Sequence, residues 1–333
     1  MTSRLAARYR VSSWQSTARS ACALAIDTQN EDRRVFVKRL PTVERFAAER
    51  TELARAARVT AAVSGIGVPE LHAADEEDLT LVLGYVDEPQ SLLNYAWNEP
   101  RRARWPRPPR AAPEAIGSRL GAWLVTYWMS SEQSGNDAVS QPTEALIRAA
   151  RSRLETLQRR NGSFLQPATF DRVFADIDAL GVRLRGDRSL TAATAHGDLN
   201  LSNVLIAPDG RVYIIDFADA RPALATEDVA NVWHTLEMIC GLSSRHEMFL
   251  RGCLDALAAG AGLVSQQFLD RDDVKLLRIN QALVQILAAQ GIGWMDRRLG
   301  RRTHWRLANL NRRWLERGCP ARFPHRGVSA TMS

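Results

Sequence analysis

The most informative segment runs from residue 195 to residue 220 and reads AHGDLNLSNVLIAPDGRVYIIDFADA. It contains two carboxylates and one carboxamide, in the order Asp198, Asn203 and Asp216. Between the last two, the short apolar runs VLIA and VYII flank the turn-forming residues PDG, which predicts a tight hairpin. Such a hairpin would return Asn203 and Asp216 to the same end, where one cation could contact both.

The spacing of these three side chains indicates a particular chemistry. Asn203 follows Asp198 by five residues and Asp216 follows it by eighteen, which is the H-x-D-x-x-x-x-N and D-F arrangement of kinase catalytic loops. One carboxylate can orient an attacking hydroxyl, while an amide oxygen and a second carboxylate can hold Mg²⁺ against phosphate oxygens. The segment therefore predicts phosphoryl transfer that uses ATP and Mg²⁺.

The same segment resembles the aminoglycoside phosphotransferase and choline kinase group, which are small-molecule kinases with a protein-kinase-like fold. Their signature is H-G-D-L-x-x-x-N followed by I-D-F or I-D-W. The resemblance implies that Asp198 is the catalytic base, that Asn203 and Asp216 bind Mg²⁺, and that His196 braces the loop. It also implies that Asp228 supports this loop from the start of the next helix, although a helix cap would explain this acid equally well.

A lysine in the N-terminal part of the chain fits the same chemistry. The alternating run RVFVKRL predicts a half-buried strand that carries Lys38. Lys38 and Lys275 are the two lysines among 44 basic residues, so a lysine at this strand position suggests a need for a compact ammonium group. Kinases place such a group on the α- and β-phosphates, and Lys38 is therefore a predicted nucleotide-binding residue.

The segment after this strand supplies the expected partner of the lysine. Residues 42–59 have the apolar spacing of an amphipathic helix. Three glutamates lie on it, and Glu49 is the predicted partner because the family pattern puts the acid four residues before a leucine, here Leu53. Glu44 and Glu52 remain alternatives.

Two further contacts with the nucleotide are predicted. The stretch LTLVLGY resembles the strand that ends the small lobe and becomes the hinge, where backbone groups of Leu83, Gly84 and Tyr85 would bind adenine. The phosphate-covering loop departs from the glycine-rich pattern, because the first glycine of the chain is residue 65. Its place is taken by a serine-rich stretch, in which Ser16 and Thr17 are the predicted phosphate contacts.

The expected fold class is α+β, in a two-lobed, protein-kinase-like arrangement. Residues 1–86 are predicted to form a small antiparallel sheet with one helix, and residues 87–333 a larger, mostly helical catalytic and acceptor-binding lobe. The chain has 333 residues, enough for such a core. Its four cysteines show no close pair, which favours free thiols and a cytoplasmic protein. The insertion 98–113 holds five prolines and is predicted to be a loop.

Positive charge is concentrated at the C-terminal end. The segment 296–326 holds ten arginines against two acids, in a chain of net charge +7, and its apolar residues recur at the spacing of an amphipathic helix. Such an end repels a cationic acceptor and attracts an anionic one. The predicted acceptor is therefore a neutral or anionic sugar, metabolite or glycolipid and not a cationic aminoglycoside, and peripheral contact with an anionic membrane surface stays open.

Two alternatives without turnover also stay open. The glycine-free phosphate loop is compatible with a pseudokinase, and the combination of arginine with tryptophan is compatible with a protein that binds nucleic acid or an anionic surface. No recognised nucleic-acid module accompanies these residues, so no nucleic-acid partner is expected. The expected partners are a nucleotide and a small-molecule acceptor, and the sequence leaves the oligomeric state open.

Overall fold

The computed structural model describes residues 3–16, 20–95, 112–131, 133–134, 136–240, 244–260, 265–291 and 300–320. They divide into two compact units. The first consists mainly of Met1–Tyr95 and His196–Arg221, and the second mainly of Ala112–Ala195 and Pro222–Ser333. The hairpin after the catalytic loop thus belongs to the same unit as the N-terminal sheet, while the predicted lobe boundary after residue 86 stays a prediction.

The first unit contains an antiparallel sheet of six strands: Tyr9–Val11, Gln15–Ser16, Ala21–Asp27, Asn30–Arg39, Leu71–Asp75 and Thr80–Gly84. Strand Asn30–Arg39 is central, because it pairs with Ala21–Asp27 on one side and with Thr80–Gly84 on the other. Alternate residues such as Val35 and Val37 are fully buried, as expected for a strand with one face on a core. Lys38 is opposite Cys22 and Leu81 in this register.

One long helix, Val43–Thr60, packs beside this sheet. It begins where the Thr42 side chain accepts a hydrogen bond from the Arg45 amide, an N-cap. Its buried face contains Phe46, Leu53 and two further apolar residues together with Glu49. The helix predicted for residues 42–59 is confirmed.

The predicted hairpin is also present. Strands Val204–Ile206 and Val212–Ile214 pair antiparallel, with Val204 opposite Ile214. Gly210 has a φ of 82° in the turn between them, a conformation that favours glycine. Ile66–Gly67 and Gln90–Ser91 extend the hairpin to a four-stranded sheet. The amide of Ile215 donates to the carbonyl oxygen of Asn203 at 3.0 Å, so the two ends of the hairpin lie side by side as predicted.

The second unit is mostly helical. Its helices are Pro113–Met129, Asn136–Asn161, Pro167–Gly186, Glu227–Cys240, Ser244–Gly260, Ser265–Asp270, Asp272–Ala289 and Gly300–Glu316. A small sheet of Gln133–Ser134, Thr191–Ala195 and Arg221–Leu224 accompanies them. An antiparallel sheet followed by a mostly helical part confirms the predicted α+β class.

Several details differ from the sequence-based expectation. The described N-terminal part has a second helix, Ser3–Arg8, whose last residue forms an ion pair with Asp27. Helix Asn136–Asn161 contains a proline, Pro142, in its interior. Of the predicted loop 98–113, residues 98–111 lie outside the described residues, and Pro113 begins a helix.

The described part also gives the state of its cysteines and the hydropathy of its helices. Cys22, Cys253 and Cys319 are free thiols there. Within the described ranges no helix is both long and apolar enough to cross a bilayer.

A buried polar cluster ties three helices of the second unit together. His234 Nε2 donates to Asn311 Oδ1 at 2.7 Å, and the His234 ring meets the Trp314 ring edge-on. The Arg278 guanidinium lies 4.9 Å from the centre of the same indole and forms an ion pair with Glu237. All five side chains are buried, so each charged or polar group depends on its partner for the hydrogen bonds that water would supply.

This cluster predicts that stability falls in weak acid. Burial, and after it the neighbouring Arg278, lowers the pKa of His234 from 6.5 to about 3. Between these values the unfolded chain binds a proton that the folded protein does not, so the folded state loses about 1.4 kcal/mol per pH unit below pH 6.5. In urea unfolding, the difference in free energy between wild type and His234→Gln should therefore shrink by about 2 kcal/mol from pH 7.5 to pH 5. A difference that stays constant over this range would contradict the buried neutral histidine.

Candidate active site

Three charged side chains of the first unit, Lys38, Glu49 and Asp216, form one cluster. The Lys38 ammonium forms an ion pair with Glu49, and it donates to Asp216 Oδ1 at 2.7 Å. Lys38 and Glu49 are 4% and 1% exposed, whereas the Asp216 side chain keeps 39% of its surface accessible. Of the three glutamates considered from the sequence, Glu49 is therefore the one that contacts the lysine. Asp216 remains accessible to a cation.

Burial and neighbouring charges shift the pKa values of Lys38 and Asp216 in opposite directions. Burial disfavours the ammonium form of Lys38, but the carboxylates of Glu49 and Asp216 outweigh it and raise the pKa of Lys38. Burial acts against the carboxylate of Asp216 as well, but the ammonium of Lys38 holds the pKa of Asp216 below its ordinary value. Lys38 is thus positively charged and Asp216 negatively charged at neutral pH.

The backbone at Asp216 has an uncommon conformation. Its φ is 70°, in the left-handed region that aspartate and asparagine tolerate better than most residues. The residue follows strand Val212–Ile214, whose pairing with Val204–Ile206 brings it back to the Asn203 end of the hairpin. Residues with strained backbones cluster at functional sites, and the Asp216 carboxylate accepts a hydrogen bond from Lys38.

The Asp198 carboxylate lies between two side-chain amides. Asn200 Nδ2 donates to Asp198 Oδ1 at 3.2 Å, and Asn203 Nδ2 lies 3.5 Å from Asp198 Oδ2. Asn203 Nδ2 also donates to the Asp198 carbonyl oxygen at 2.8 Å. Because the nitrogen of Asn203 is engaged in this way, its amide oxygen faces another direction and can accept a cation. Both amides hold the Asp198 side chain in place.

His196 is buried next to this loop and makes structural contacts. It is fully buried, its Nε2 donates to the Ile215 carbonyl oxygen at 3.0 Å, and its ring packs against Phe217 with centroids 4.6 Å apart. Burial lowers the pKa of His196 to about 4, so the imidazole is neutral at pH 7. A neutral, buried ring that joins the catalytic loop to the Asp216 segment fits the bracing role expected for it.

The glycine between His196 and Asp198 has no room for a side chain. Gly197 has a φ of 79°, and a Cβ added there would lie 2.0 Å from the Asp219 carbonyl oxygen. We expect Gly197→Ala to lower the free energy of unfolding by about 3 kcal/mol or more, because it combines left-handed strain with a backbone clash. Urea unfolding followed by circular dichroism measures this loss.

Gly186 provides the matched control. It ends helix Pro167–Gly186, and a Cβ added there meets nothing within 4 Å. Gly186→Ala should change the free energy of unfolding by less than about 1 kcal/mol, in the stabilising direction. Equal effects of the two substitutions would show that the close approach of Asp219 to Gly197 does not limit that position.

The residues predicted to bind adenine lie at the end of strand Thr80–Gly84. Leu83 is buried and pairs with Phe36 and Leu71 on its two sides. The amide of Gly84 already donates to the Glu70 carbonyl oxygen at 2.7 Å. A backbone donor for adenine would therefore come from Tyr85 or a residue after it, and adenine binding here stays a prediction.

Three further predicted site residues stay untested. Ser16 lies in a strand beside Ala21–Asp27, and Thr17 lies outside the described residues. Asp228 is fully buried in the first turn of helix Glu227–Cys240, in the second unit. Phosphate contacts by Ser16 and Thr17, and support of the catalytic loop by Asp228, stay predictions.

The donors present fit a magnesium-bound nucleotide. Within the described ranges no three histidine, cysteine or acidic side chains form a metal cluster. A cation at the predicted site would take its protein oxygens from the Asp216 carboxylate and the Asn203 amide. Mg²⁺ is commonly bound by one or two protein oxygens, with phosphate oxygens and water completing its octahedron. The buried ammonium of Lys38 suits the phosphates of the same ligand.

Two contacts of this site were missed from the sequence. Asn200 lies between the motif residues but is not itself part of the motif. The spacing of the motif therefore does not predict that the Asn200 amide donates to Asp198. Arg45 Nη2 donates to Asp219 Oδ2 at 3.0 Å across 174 residues of sequence, and no local pattern pairs positions so far apart.

One family profile and several solved structures match this chain. The profile of one family, described as "Phosphotransferase enzyme family", matches residues 24–263. The comparison with curated proteins gives no match.

Among solved structures, the chain is similar to an amicoumacin kinase in complex with AMP-PNP, Ca²⁺ and Ami, at 14% identity and a TM-score of 0.57, covering 97% of this chain and 93% of that one. It is also similar to a candidate fructosamine-3-kinase from Thermobifida fusca, at 20% identity and 0.53, covering 96% and 99%. A glucosamine kinase in complex with glucosamine, ADP and inorganic phosphate has 12% identity and a TM-score of 0.52, with 94% of both chains covered. At these identities the likeness concerns the fold, and it confirms the predicted kinase-like class.

Proposed function

This chain belongs to the phosphotransferase enzyme family, and we propose that it transfers the γ-phosphoryl group of ATP, with Mg²⁺, to a hydroxyl of a neutral or anionic small molecule. The observation that carries the proposal is the grouping, within one compact unit, of the Lys38–Glu49–Asp216 cluster with the Asp198–Asn203 loop. These are the charged and amide groups that phosphoryl transfer from a nucleotide needs.

Each side chain has a distinct task in this proposal. Lys38, held by Glu49, binds the α- and β-phosphates. Asp216 and the amide oxygen of Asn203 hold Mg²⁺, which neutralises the phosphate oxygens when bound. Asp198 accepts the proton of the acceptor hydroxyl while the hydroxyl oxygen forms its bond to the γ-phosphorus and the bond to the β-γ bridging oxygen breaks, which releases ADP. The amide donors of Asn200 and Asn203 hold the Asp198 carboxylate for this step.

Charge supports the choice of acceptor. Helix Gly300–Glu316 exposes Arg306 and Arg313, and the segment 296–326 carries ten arginines. A field of this sign raises the local concentration of anions and lowers that of cations. The amino sugars in the names of the similar kinases belong to those proteins, since the identities of 12% and 20% carry only the fold.

The test is ADP release by purified protein with Mg·ATP and a panel of neutral, cationic and anionic alcohols. The proposal expects Mg²⁺-dependent ADP release that one or more neutral or anionic alcohols stimulate. Highest turnover with a cationic aminoglycoside would contradict the acceptor class. Tight nucleotide binding with no turnover on any alcohol would favour a pseudokinase, and salt-sensitive oligonucleotide binding without a nucleotide response would favour the nucleic-acid alternative.

A further inference from the structure

Arg45 and Asp219 connect the helix that carries Glu49 to the segment that carries Asp216. Arg45 lies four residues before Glu49 on helix Val43–Thr60, so the two side chains project from the same face one turn apart. Arg45 donates to Asp219 at 3.0 Å, and Glu49 contacts Lys38, which in turn contacts Asp216. The helix is thus joined to the metal-binding segment at two points.

Asp219 is itself fixed by its backbone. The amide of Ala220 donates to the Phe217 carbonyl oxygen at 3.0 Å, which closes a turn around Asp219. The Asp219 carbonyl oxygen lies so close to Gly197 that a Cβ there would approach it to 2.0 Å. Asp219 therefore contacts the helix through Arg45 and the turn before Asp198 through Gly197, and it lies in the same segment as Asp216.

We propose that the Arg45–Asp219 ion pair is a positioning pair that keeps Glu49 on Lys38 and so keeps the site in its nucleotide-binding arrangement. This inference rests on the proposed function. If the helix moved away, the buried ammonium of Lys38 would lose Glu49 and keep Asp216 as its partner among the described residues. Asp216 would then be held by Lys38 and withdrawn from a cation, and the affinity for a magnesium nucleotide would fall.

Because the pair is partly exposed, its effect on nucleotide binding can be distinguished from an effect on folding stability. The Arg45 and Asp219 side chains are 23% and 34% exposed, and partly exposed ion pairs contribute little to the free energy of unfolding. Loss of the pair should therefore weaken nucleotide binding with little change in melting temperature. A merely structural role would produce the opposite result.

A charge-reversal cycle tests the pair, with the dissociation constant of Mg·AMP-PNP measured by isothermal titration calorimetry. We expect Arg45→Glu and Asp219→Lys each to raise this constant about tenfold, and the double variant to return it to within about threefold of wild type. Arg45→Lys keeps the positive charge, and its dissociation constant for Mg·AMP-PNP should also stay within about threefold of wild type. Faster amide hydrogen exchange in helix Val43–Thr60 should accompany the single variants.

Arg50→Gln is the matched control. Arg50 lies on the same helix and pairs with Glu76, with exposures of 41% and 72%, but this pair does not reach the Asp216 segment. Its loss should leave the dissociation constant unchanged. Two outcomes would overturn the proposed role of the ion pair, provided that wild type binds Mg·AMP-PNP. In the first, the single charge variants bind it as tightly as Arg50→Gln does. In the second, the double variant binds it as weakly as the single variants do. Wild type that binds no Mg·AMP-PNP would instead overturn the proposed function.

Discussion

Asp198→Ala is expected to lower kcat by about 1000-fold, because removal of a general base in proton transfer costs this order of rate. The carboxylate is the acceptor of the hydroxyl proton in the proposed reaction, and the amides of Asn200 and Asn203 surround it. Lys38, Glu49 and Asp216 are not altered by the substitution. The affinity for Mg·AMP-PNP should therefore stay within about twofold of wild type. Steady-state ADP release with the acceptor found in the panel, together with calorimetry, gives both quantities.

The separation of rate from binding is the informative part of this experiment. Loss of both would indicate that Asp198 holds the nucleotide or the loop and is not the base. Retention of wild-type turnover would show that another group accepts the proton, and the catalytic assignment would be wrong.

Asp216→Asn should have its largest effect on the magnesium nucleotide. Asparagine tolerates the left-handed conformation that Asp216 adopts at φ 70°, so the substitution removes a charge with little backbone strain. We expect the dissociation constant of Mg·AMP-PNP to rise about 100-fold, because in the proposed site the Asp216 carboxylate is a charged ligand of the cation. The affinity for AMP-PNP in the presence of a chelator should change much less.

Asp209→Asn controls for the loss of a negative charge from the same hairpin. Asp209 is exposed and its carboxylate accepts a hydrogen bond from the Arg211 amide, which an asparagine side chain can also accept. It should leave the affinity for Mg·AMP-PNP unchanged. An equal loss in the two variants would mean that general electrostatics, and not ligation by Asp216, governs the binding of the magnesium nucleotide.

The sequence predicted the parts of this molecule that are encoded locally. The hairpin followed from two apolar runs around a turn, and helix Val43–Thr60 from its apolar period. The α+β class followed from the sum of such segments. Both ends of the hairpin meet because antiparallel pairing requires it, so the proximity of Asn203 and Asp216 needed no information from elsewhere in the chain.

Contacts between distant segments were not accessible in the same way. Arg45 and Asp219 look like solvated charges until the fold brings them together. The buried pair of Arg278 with Glu237 is similar, because nothing in their helical spacing distinguishes a buried charge from an exposed one. Backbone groups of Leu83, Gly84 and Tyr85 were predicted to bind adenine, but the Gly84 amide donates to the Glu70 carbonyl oxygen, a contact that the local sequence does not show.

A crystal structure with Mg²⁺ and AMP-PNP tests the central claim most directly. We expect Mg²⁺ on Asp216 and the Asn203 amide oxygen, and the Lys38 ammonium on the α- and β-phosphates. A nucleotide bound elsewhere on the chain, or bound with its phosphates away from Lys38 and its cation away from Asp216, would contradict the assignment of this cluster as a phosphotransferase site.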